Sequence, residues 1–527
     1  MRIDFSSVMI VWRTGWARFR FADWFSFGEG VPGMGSSDAE DLEKFGYHQQ
    51  LQRTLGSFSS FALAFSLISI NTGFFANFRH GFQQVGPALI WSWLVVLAGQ
   101  MVVAMVMAGL SKSIPLSGYG YQWSARLVNP HFGFFAGWFL LLQFMAGFPA
   151  VCSALAAALL GLISPGRYDA TLAAGLTIAV ITLVTLIHLF GLRLVAWINN
   201  AGVYAELAGV ALIIAALYLA LDWSGEIDWT RLVEIRSYSS QPGTPNDGRV
   251  GISSLALSLL MGAWCLTGFE ASADLAEETH QPRRTIPRAM ILSLLCSGLA
   301  GLLLLAGVIL NADDVPALQR DEAPLLRILA KAFSPHLMSL VMVIVAISIL
   351  ACAIASMAGA SRLIFSLSRD RMLPGSTWMG QVAVGKGTPR HAVIVVWLIS
   401  VGVVLIFRQT DLISSISAVA GYLGYACVMI AALRSVETTE IRPAWQIRLL
   451  PMLGLFWTIG LVLALAIPPT ETPGWTDRHI PAKATSIALL AGIIIYAVSI
   501  RQRIGRGEAG PPEHPGNPVM SPRQGSA

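Results

Sequence analysis

The sequence predicts an all-α integral membrane protein, and three observations carry that prediction. The chain of 527 residues is 55% hydrophobic and only 12% charged, with mean hydropathy +0.63; soluble domains carry roughly a quarter charged residues. A bilayer core of ~30 Å needs about 20 mostly apolar residues as helix, and twelve such stretches can be laid out along the chain. Inside them, polar residues gather at only two points.

The elements follow in order. The first stretch, 57–78, reads SFSSFALAFSLISINTGFFANF and is interrupted by Asn71-Thr72-Gly73. The second (87–110) and third (132–160) are continuous, joined by SKSIPLSGYGYQWSARL. The fourth (171–190) holds His188, and the fifth (195–221) holds one acid, Glu206, about three turns in. The sixth (251–276) runs from Trp264 into Thr267-Gly268-Phe269-Glu270. The seventh to twelfth are 289–311, 338–366, 391–407, 412–433, 447–467 and 483–500. The longest connections, 222–250 and 312–337, are polar. The domain division is therefore a leader at 1–56, a twelve-helix domain at 57–500 and a Gly/Pro-rich tail at 501–527, expected to be disordered and cytoplasmic.

Charge sets the orientation. With the N-terminus inside, roughly two thirds of the Lys and Arg residues fall in or beside the inward segments, so both termini are expected on the cytoplasmic side of a plasma or inner membrane. The pI near 9.0 follows from that bias. The basic residues are spread over many loops, which gives no nucleic-acid face. Residues 1–33 contain an apolar patch too short to span; they read as an interfacial segment or as sequence ahead of a start at Met34. The five cysteines lie in apolar stretches without a C-x-x-C pair and read as small core residues. No HExxH, Walker loop, nucleophile elbow or Cys/His set appears, so no enzyme, metal or cofactor is expected.

The two interruptions carry the functional reading. A helix that unwinds in a bilayer exposes backbone N–H and C=O groups that lipid cannot satisfy, so such breaks line a watery cavity and bind ligand there. N–H ends attract a carboxylate and C=O ends a cation. The interrupted spans are five apart, as in transporters built of two inverted five-helix repeats. The other reading is two glycine-bearing helices packed closely on their neighbours.

Several motifs in register give a resemblance. GFEASADLAEETHQPRRTIPRAM, SKSIPLSGYGYQWSARL, ASRLIFSLSRDRMLP, TPRHAV and the leader FGYHQQLQRTLGSFSSFALAFS resemble the amino acid–polyamine–organocation permeases over about residues 42–500, and look most like the amino acid/choline branch. One departure is Ala108-Gly109-Leu110, where members often have Ala-Glu-Leu; a gate depending on that acid is not expected here. The resemblance implies a LeuT-type fold of five plus five inverted-repeat helices and two peripheral ones. It implies substrate between the broken first and sixth helices, with Asn71, Thr72 and Gly73 at backbone contacts to a substrate carboxylate, Trp264 over the substrate, and Thr267, Gly268 and Glu270 at the second break.

Each candidate also has a bland reading. Glu270 caps a half-helix, or moves protons or contacts ligand. Glu206, aligned with a lysine of some relatives near the sodium site of sodium-coupled ones, binds a coupling proton or is braced by Asn199, Asn200 or Tyr204. Trp264 covers an ammonium or fills core. Gln143, Tyr422 and Tyr425 line the cavity or only pack. His188 reads as a packed histidine, Glu277-Glu278 with Arg283-Arg284-Arg288 as a solvated charged rim or a salt-bridge gate, the rim being the default, and Ser366–Asp370 as a loop anchor. The expected function is a secondary active transporter of an amino acid or related amine, proton-coupled and working by alternating access. The alternatives are an exchanger of amino acids or polyamines and a transporter-like sensor. The bilayer, protons and a small solute are the partners; oligomeric state is left open.

Overall fold

The computed structural model describes residues 38, 42–49, 53, 55–163, 170–190, 192–221, 223, 227–234, 250–382, 389–435, 444–466 and 480–512. The interfacial segment expected within 1–33, and the tail beyond 512, lie outside these. Among the described residues the elements are helical, apart from one isolated parallel bridge between Leu55 and Thr279. In chain order they are α1 (Ser57–Ile68), α2 (Ile70–Val85), α3 (Leu89–Ser113), α4 (Tyr119–Leu127), α5 (Pro130–Ile163), α6 (Ala170–Phe190), α7 (Leu192–Leu219), α8 (Ile252–Cys265), α9 (Ala271–Asp274), α10 (Pro282–Leu310), α11 (Val315–Gln319), α12 (Pro324–Ala332), α13 (Pro335–Arg369), α14 (Ser376–Met379), α15 (Arg390–Ile406), α16 (Thr410–Arg434), α17 (Ala444–Ala466), α18 (Ile480–Ile495) and α19 (Arg501–Gly505).

Each apolar stretch read from the sequence overlaps one of these helices, or a pair of them at the first and sixth stretches. Nine helical stretches among the described residues are long and apolar enough to cross a membrane; one of them, Ser57–Ser113, takes in α1, α2 and α3 together, and α8 and α15 are apolar but shorter. Large apolar side chains such as Phe190, Trp197, Leu219, Phe456 and Ile487 are exposed, a surface that only lipid can cover without aggregation.

Helix starts follow ordinary capping chemistry. Ser334 Oγ accepts the Leu337 N–H at the head of α13, and Pro335 fills the first position, where no N–H is needed. The interior is made where α16 packs on α5 and α17, α13 on α5 and α7, α10 on α3, and α8 on α2. Close approach depends on glycine at several of these contacts. A Cβ at Gly301 would collide with the Trp93 indole, and one at Gly298 with Leu97. Trp93 is 1% exposed and donates from Nε1 to Gly298 O at 2.9 Å. α3 therefore sits in a notch on α10.

The described part of the tail is packed. After Gly505 the chain turns so that Gly510 N–H donates to Asp370 O at 2.9 Å, and Pro512 lies against Gly46.

The notch gives a first prediction. Gly301→Val overfills the Trp93 site and should destabilise the protein by about 1–3 kcal/mol, the usual scale of core overpacking. Trp93→Leu in the same chain should recover part of that loss. Thermal unfolding of the single and double variants in detergent checks it; equal stability for Gly301→Val and wild type would show that the notch yields freely.

Candidate functional site

The first interruption lies at Ser69, two residues before the Asn71-Thr72-Gly73 triplet. Ser69 has φ 29° and ψ 95°, a left-handed setting that a non-glycine residue adopts only when its surroundings hold it. Glu206 of α7 is what holds it. Its Oε1 accepts the Asn71 N–H at 3.1 Å and its Oε2 accepts the Ser69 hydroxyl at 2.9 Å. Ser348 Oγ of α13 also donates to Oε2 and receives Asn71 Nδ2 at 3.2 Å. The start of α2 is further closed by Thr72 N–H on Ser69 Oγ and Gly73 N–H on Ser69 O. One buried carboxylate thus ties α1, α2, α7 and α13 together.

The carbonyls released by the break find weaker donors. Cys352 Sγ approaches Leu67 O at 3.5 Å, and Cys265 Sγ lies 3.8 Å from Ile68 O. All five cysteines are free. The two nearest the break do more than fill volume.

The second interruption runs from Leu266 to Glu270. Gly268 has φ +99° and its Cα faces Leu67, where an added Cβ would stand 2.9 Å from Leu67 Cγ; glycine is required on both counts. Glu270 Oε2 accepts the Gly268 N–H at 3.0 Å. Its Oε1 takes the Tyr425 hydroxyl and, at 3.4 Å, Gln143 Nε2. Gln100 Nε2 covers Leu266 O at 3.0 Å, Tyr422 Oη covers Ala263 O at 3.0 Å, and Thr267 Oγ1 covers Trp264 O at 2.7 Å.

Between the two interruptions is a small cavity of about 50 Å³. Thr72, Trp264, Thr267, Gly268 and Glu270 line it, joined by Gln143, Phe144, Phe148, Ser356 and Ser417. Glu270 is the one charged side chain among its lining residues. Asn71, Gly73 and Glu206 are not in the lining. Gly73 packs against Cys265, where a Cβ would collide with the thiol. Glu206 lies behind the first break. The bracing expected from Asn199, Asn200 or Tyr204 is replaced by Ser69, Asn71 and Ser348; Tyr204 is 61% exposed and stacks on Phe58. Sequence reasoning gave Gln143 and Tyr425 no preference over plain packing, yet both bond Glu270. It passed over Ser69, Ser348, Ser356 and Ser417, since single serines in apolar spans carry no distinguishing signal. His188 is packed, with Nδ1 3.0 Å from Val184 O.

The two ends of the bundle differ. At one, a cavity of about 710 Å³ is bordered by His80, Gln84, Leu260, Arg408, Asp411 and Ser415. Beside it, His80 Nδ1 and Asp411 Oδ2 pair weakly at 3.6 Å, and Ser414 Oγ donates to Asn77 Oδ1 at 2.8 Å. At the other, Asp370 receives Tyr47 Oη at 2.8 Å, Tyr121 Oη at 2.7 Å and Gln122 Nε2 at 2.9 Å. Burial pushes the Tyr47 phenol up from its ordinary value, with the Asp370 charge adding to the effect, so Tyr47 stays a donor. Arg369 stacks over the Tyr47 ring at 3.9 Å and forks onto Glu277 at 2.9 and 3.1 Å. Arg362 bonds Glu278 at 3.1 Å. Glu277 and Glu278 are therefore buried and paired, correcting the solvated-rim reading; Arg369 at the end of α13 and Arg362 seven residues before it reach them. Leu55 pairs with the Glu278–His280 backbone, which brings the leader into the same end.

The chain is 23% identical over 483 residues to an uncharacterized amino-acid permease of Schizosaccharomyces pombe, covering 88% of this chain and 84% of that one. It is 25% identical over 477 residues to the amino-acid permease BAT1 of Arabidopsis thaliana, covering 83% and 90%. It is 26% identical over 476 residues to an uncharacterized transporter of Mycobacterium tuberculosis, covering 89% and 97%. The amino acid permease family model matches residues 55–495, from the bridge at Leu55 to the end of α18, and the chain belongs to that family.

Proposed function

We propose that this permease is a secondary active transporter that carries an amino acid or a related amine-bearing solute by alternating access, coupled to protons. Membership of the family makes it a transporter rather than an enzyme. The observation that carries the finer reading is the cavity between the interruptions at Ser69 and Gly268: Glu270 is the one charge among its lining residues, and Trp264, Phe144 and Phe148 supply aromatic faces. A carboxylate and π-faces together select a cation. Thr72, Thr267, Ser356 and Ser417 add hydroxyls for the rest of the solute.

The twelve-span, five-plus-five architecture is supported by the match of apolar stretches to helices and by interruptions five spans apart. The basic residues favour both termini inside, at a plasma or inner membrane. On that orientation the wide cavity beside His80 and Asp411 opens outward, and the Asp370–Tyr47 cluster closes the inner end. Glu206 is the coupling acid of this proposal: its donors come from two halves of one broken span and from α13, so relative movement of those elements changes how strongly its charge is held. Accumulation of isotopically labelled amino acids and polyamines in proteoliposomes under a pH gradient tests the function; no accumulation or exchange of any member of such a panel would refute it.

Two predictions follow from these residues. Trp264→Leu keeps apolar volume but removes the π-face, and should weaken substrate binding by about 0.5–2 kcal/mol. Trp264→Phe should recover part of this. Equal affinities across all three proteins would mean that the indole faces elsewhere. Glu206→Gln keeps an acceptor for the Asn71 N–H and cannot release a proton. Accumulation driven by a pH gradient should be lost while counterflow of labelled for unlabelled substrate continues. Both activities falling together would mark Glu206 as a brace alone, and undiminished accumulation would remove it from the coupling.

A further inference from the structure

The segment from Glu270 to Glu278 carries acids at 270, 274, 277 and 278. Their exposures are 0%, 0%, 0% and 7%. Three are satisfied. Glu270 has Gly268 N–H, Tyr425 Oη and Gln143 Nε2. Glu277 has the Arg369 fork and the Ser117 N–H at 3.3 Å. Glu278 has Arg362. Asp274 is the exception: both of its oxygens are fully enclosed and neither has a hydrogen-bond partner.

A second group nearby is in the same condition. Tyr119, at the head of α4, is 0% exposed and its hydroxyl has no partner. It lies within electrostatic range of both Glu270 and Asp274.

We propose that Asp274 is a proton-binding site, neutral in the conformation described here, that gives its proton to water when the end of the bundle holding Glu277 and Arg369 opens. The step is a simple transfer: the Asp274 O–H bond breaks, its electron pair stays on the carboxylate, and water takes the proton.

The surroundings favour the neutral form. A buried carboxylate without donors is far less stable than a buried neutral acid, and two nearby carboxylates do not both ionise readily. Glu270, with three donors, is the better anion of the two. The elements packed on α9 bring no free cation to Asp274. α1 has no ionisable side chain. On α10, Arg283 donates to Lys112 O and Ser113 O, and Arg284 and Arg288 are exposed. On α13, Gly359 faces Asp274 Oδ2, and Arg362, one turn on, is engaged with Glu278. From α4 the ionisable group is Tyr119. The Gly118 amide also faces the carboxyl, short of a formed hydrogen bond. A protonated Asp274 gains a donor of its own, which lets it and the Tyr119 hydroxyl satisfy one another once they move together.

This site stands apart from the coupling role proposed for Glu206, and its test involves no transport. Infrared spectra of the full-length protein at neutral pH should contain the carbonyl stretch of a protonated carboxylic acid that shifts when aspartate is isotopically labelled at its carboxyl carbon. That band should be lost in Asp274→Asn and kept in Asp370→Asn. Tyr119→Phe, which removes a hydroxyl that bonds nothing in this conformation, should keep the band. Should Asp274→Asn fail to fold, Asp274→Glu should transfer the label sensitivity from aspartate to glutamate. An unlabelled-like spectrum with no aspartate-sensitive protonated band in the wild type, or a band lost in Asp370→Asn and kept in Asp274→Asn, would overturn the assignment.

Discussion

The constraint on which the rest of this structure depends is the satisfaction of backbone groups where a membrane helix is broken. Lipid offers neither donor nor acceptor, so each freed N–H and C=O must be met from within the protein. Here two acidic side chains meet the donors. Glu206 takes the head of α2 from across the bundle, and Glu270 takes the Gly268 N–H from two residues along its own chain. Gln100, Tyr422, Thr267 and two thiols meet the carbonyls. A positive half-helix end is an anion site, and in this chain the anions on it include the protein's own.

That arrangement shapes what the cavity can recognise. With Glu206 already on the Asn71 N–H, and with Thr72 and Gly73 N–H groups held by Ser69, the head of α2 has few free donors for a solute carboxylate. Glu270, by contrast, borders the cavity. The balance of chemistry there favours the amine end of a solute over its acid end, so a bound zwitterion would draw its orientation from Glu270 and Trp264 in the proposed reading, and would gain carboxylate donors at α2 only as Glu206 withdraws. In that reading, coupling between the acid and the solute would need no long pathway.

Much of the fold was legible because hydropathy is a property of contiguous sequence. The twelve apolar stretches overlap helices, and Trp264, Thr267, Gly268 and Glu270 line one cavity because seven consecutive positions around an unwound turn stay together in space. Legibility fails where tertiary contact decides. The triplet Asn71-Thr72-Gly73 looks like the break, yet the chain opens at Ser69, where a hydroxyl and Glu206 pay for the left-handed turn; composition favours glycine for such a turn and points to the wrong residue. Gly73 is needed for another reason, the approach of α2 to Cys265. Glu277 and Glu278 read as solvated because charge next to a loop usually is; only the reach of Arg362 and Arg369 from the end of α13 buries them. Asp274 drew no attention in a run of acids, and its isolation is visible only once the donors of its neighbours have been assigned.

The two ends of the bundle are held by different kinds of interaction, and this difference bears on how the proposed cycle would run. Beside His80 and Asp411 there is one long, partly solvated pair, worth little by itself. At the other end, buried arginines, tyrosines and carboxylates from the leader, α4, the turn after α9 and the end of α13 share hydrogen bonds around Asp370 and Glu277. Breaking one member of such a network strands the others without partners, which is costly in a way that breaking an exposed pair is not. In the proposed cycle this networked end would be the shut one, and opening it would require water to enter and take over those bonds together.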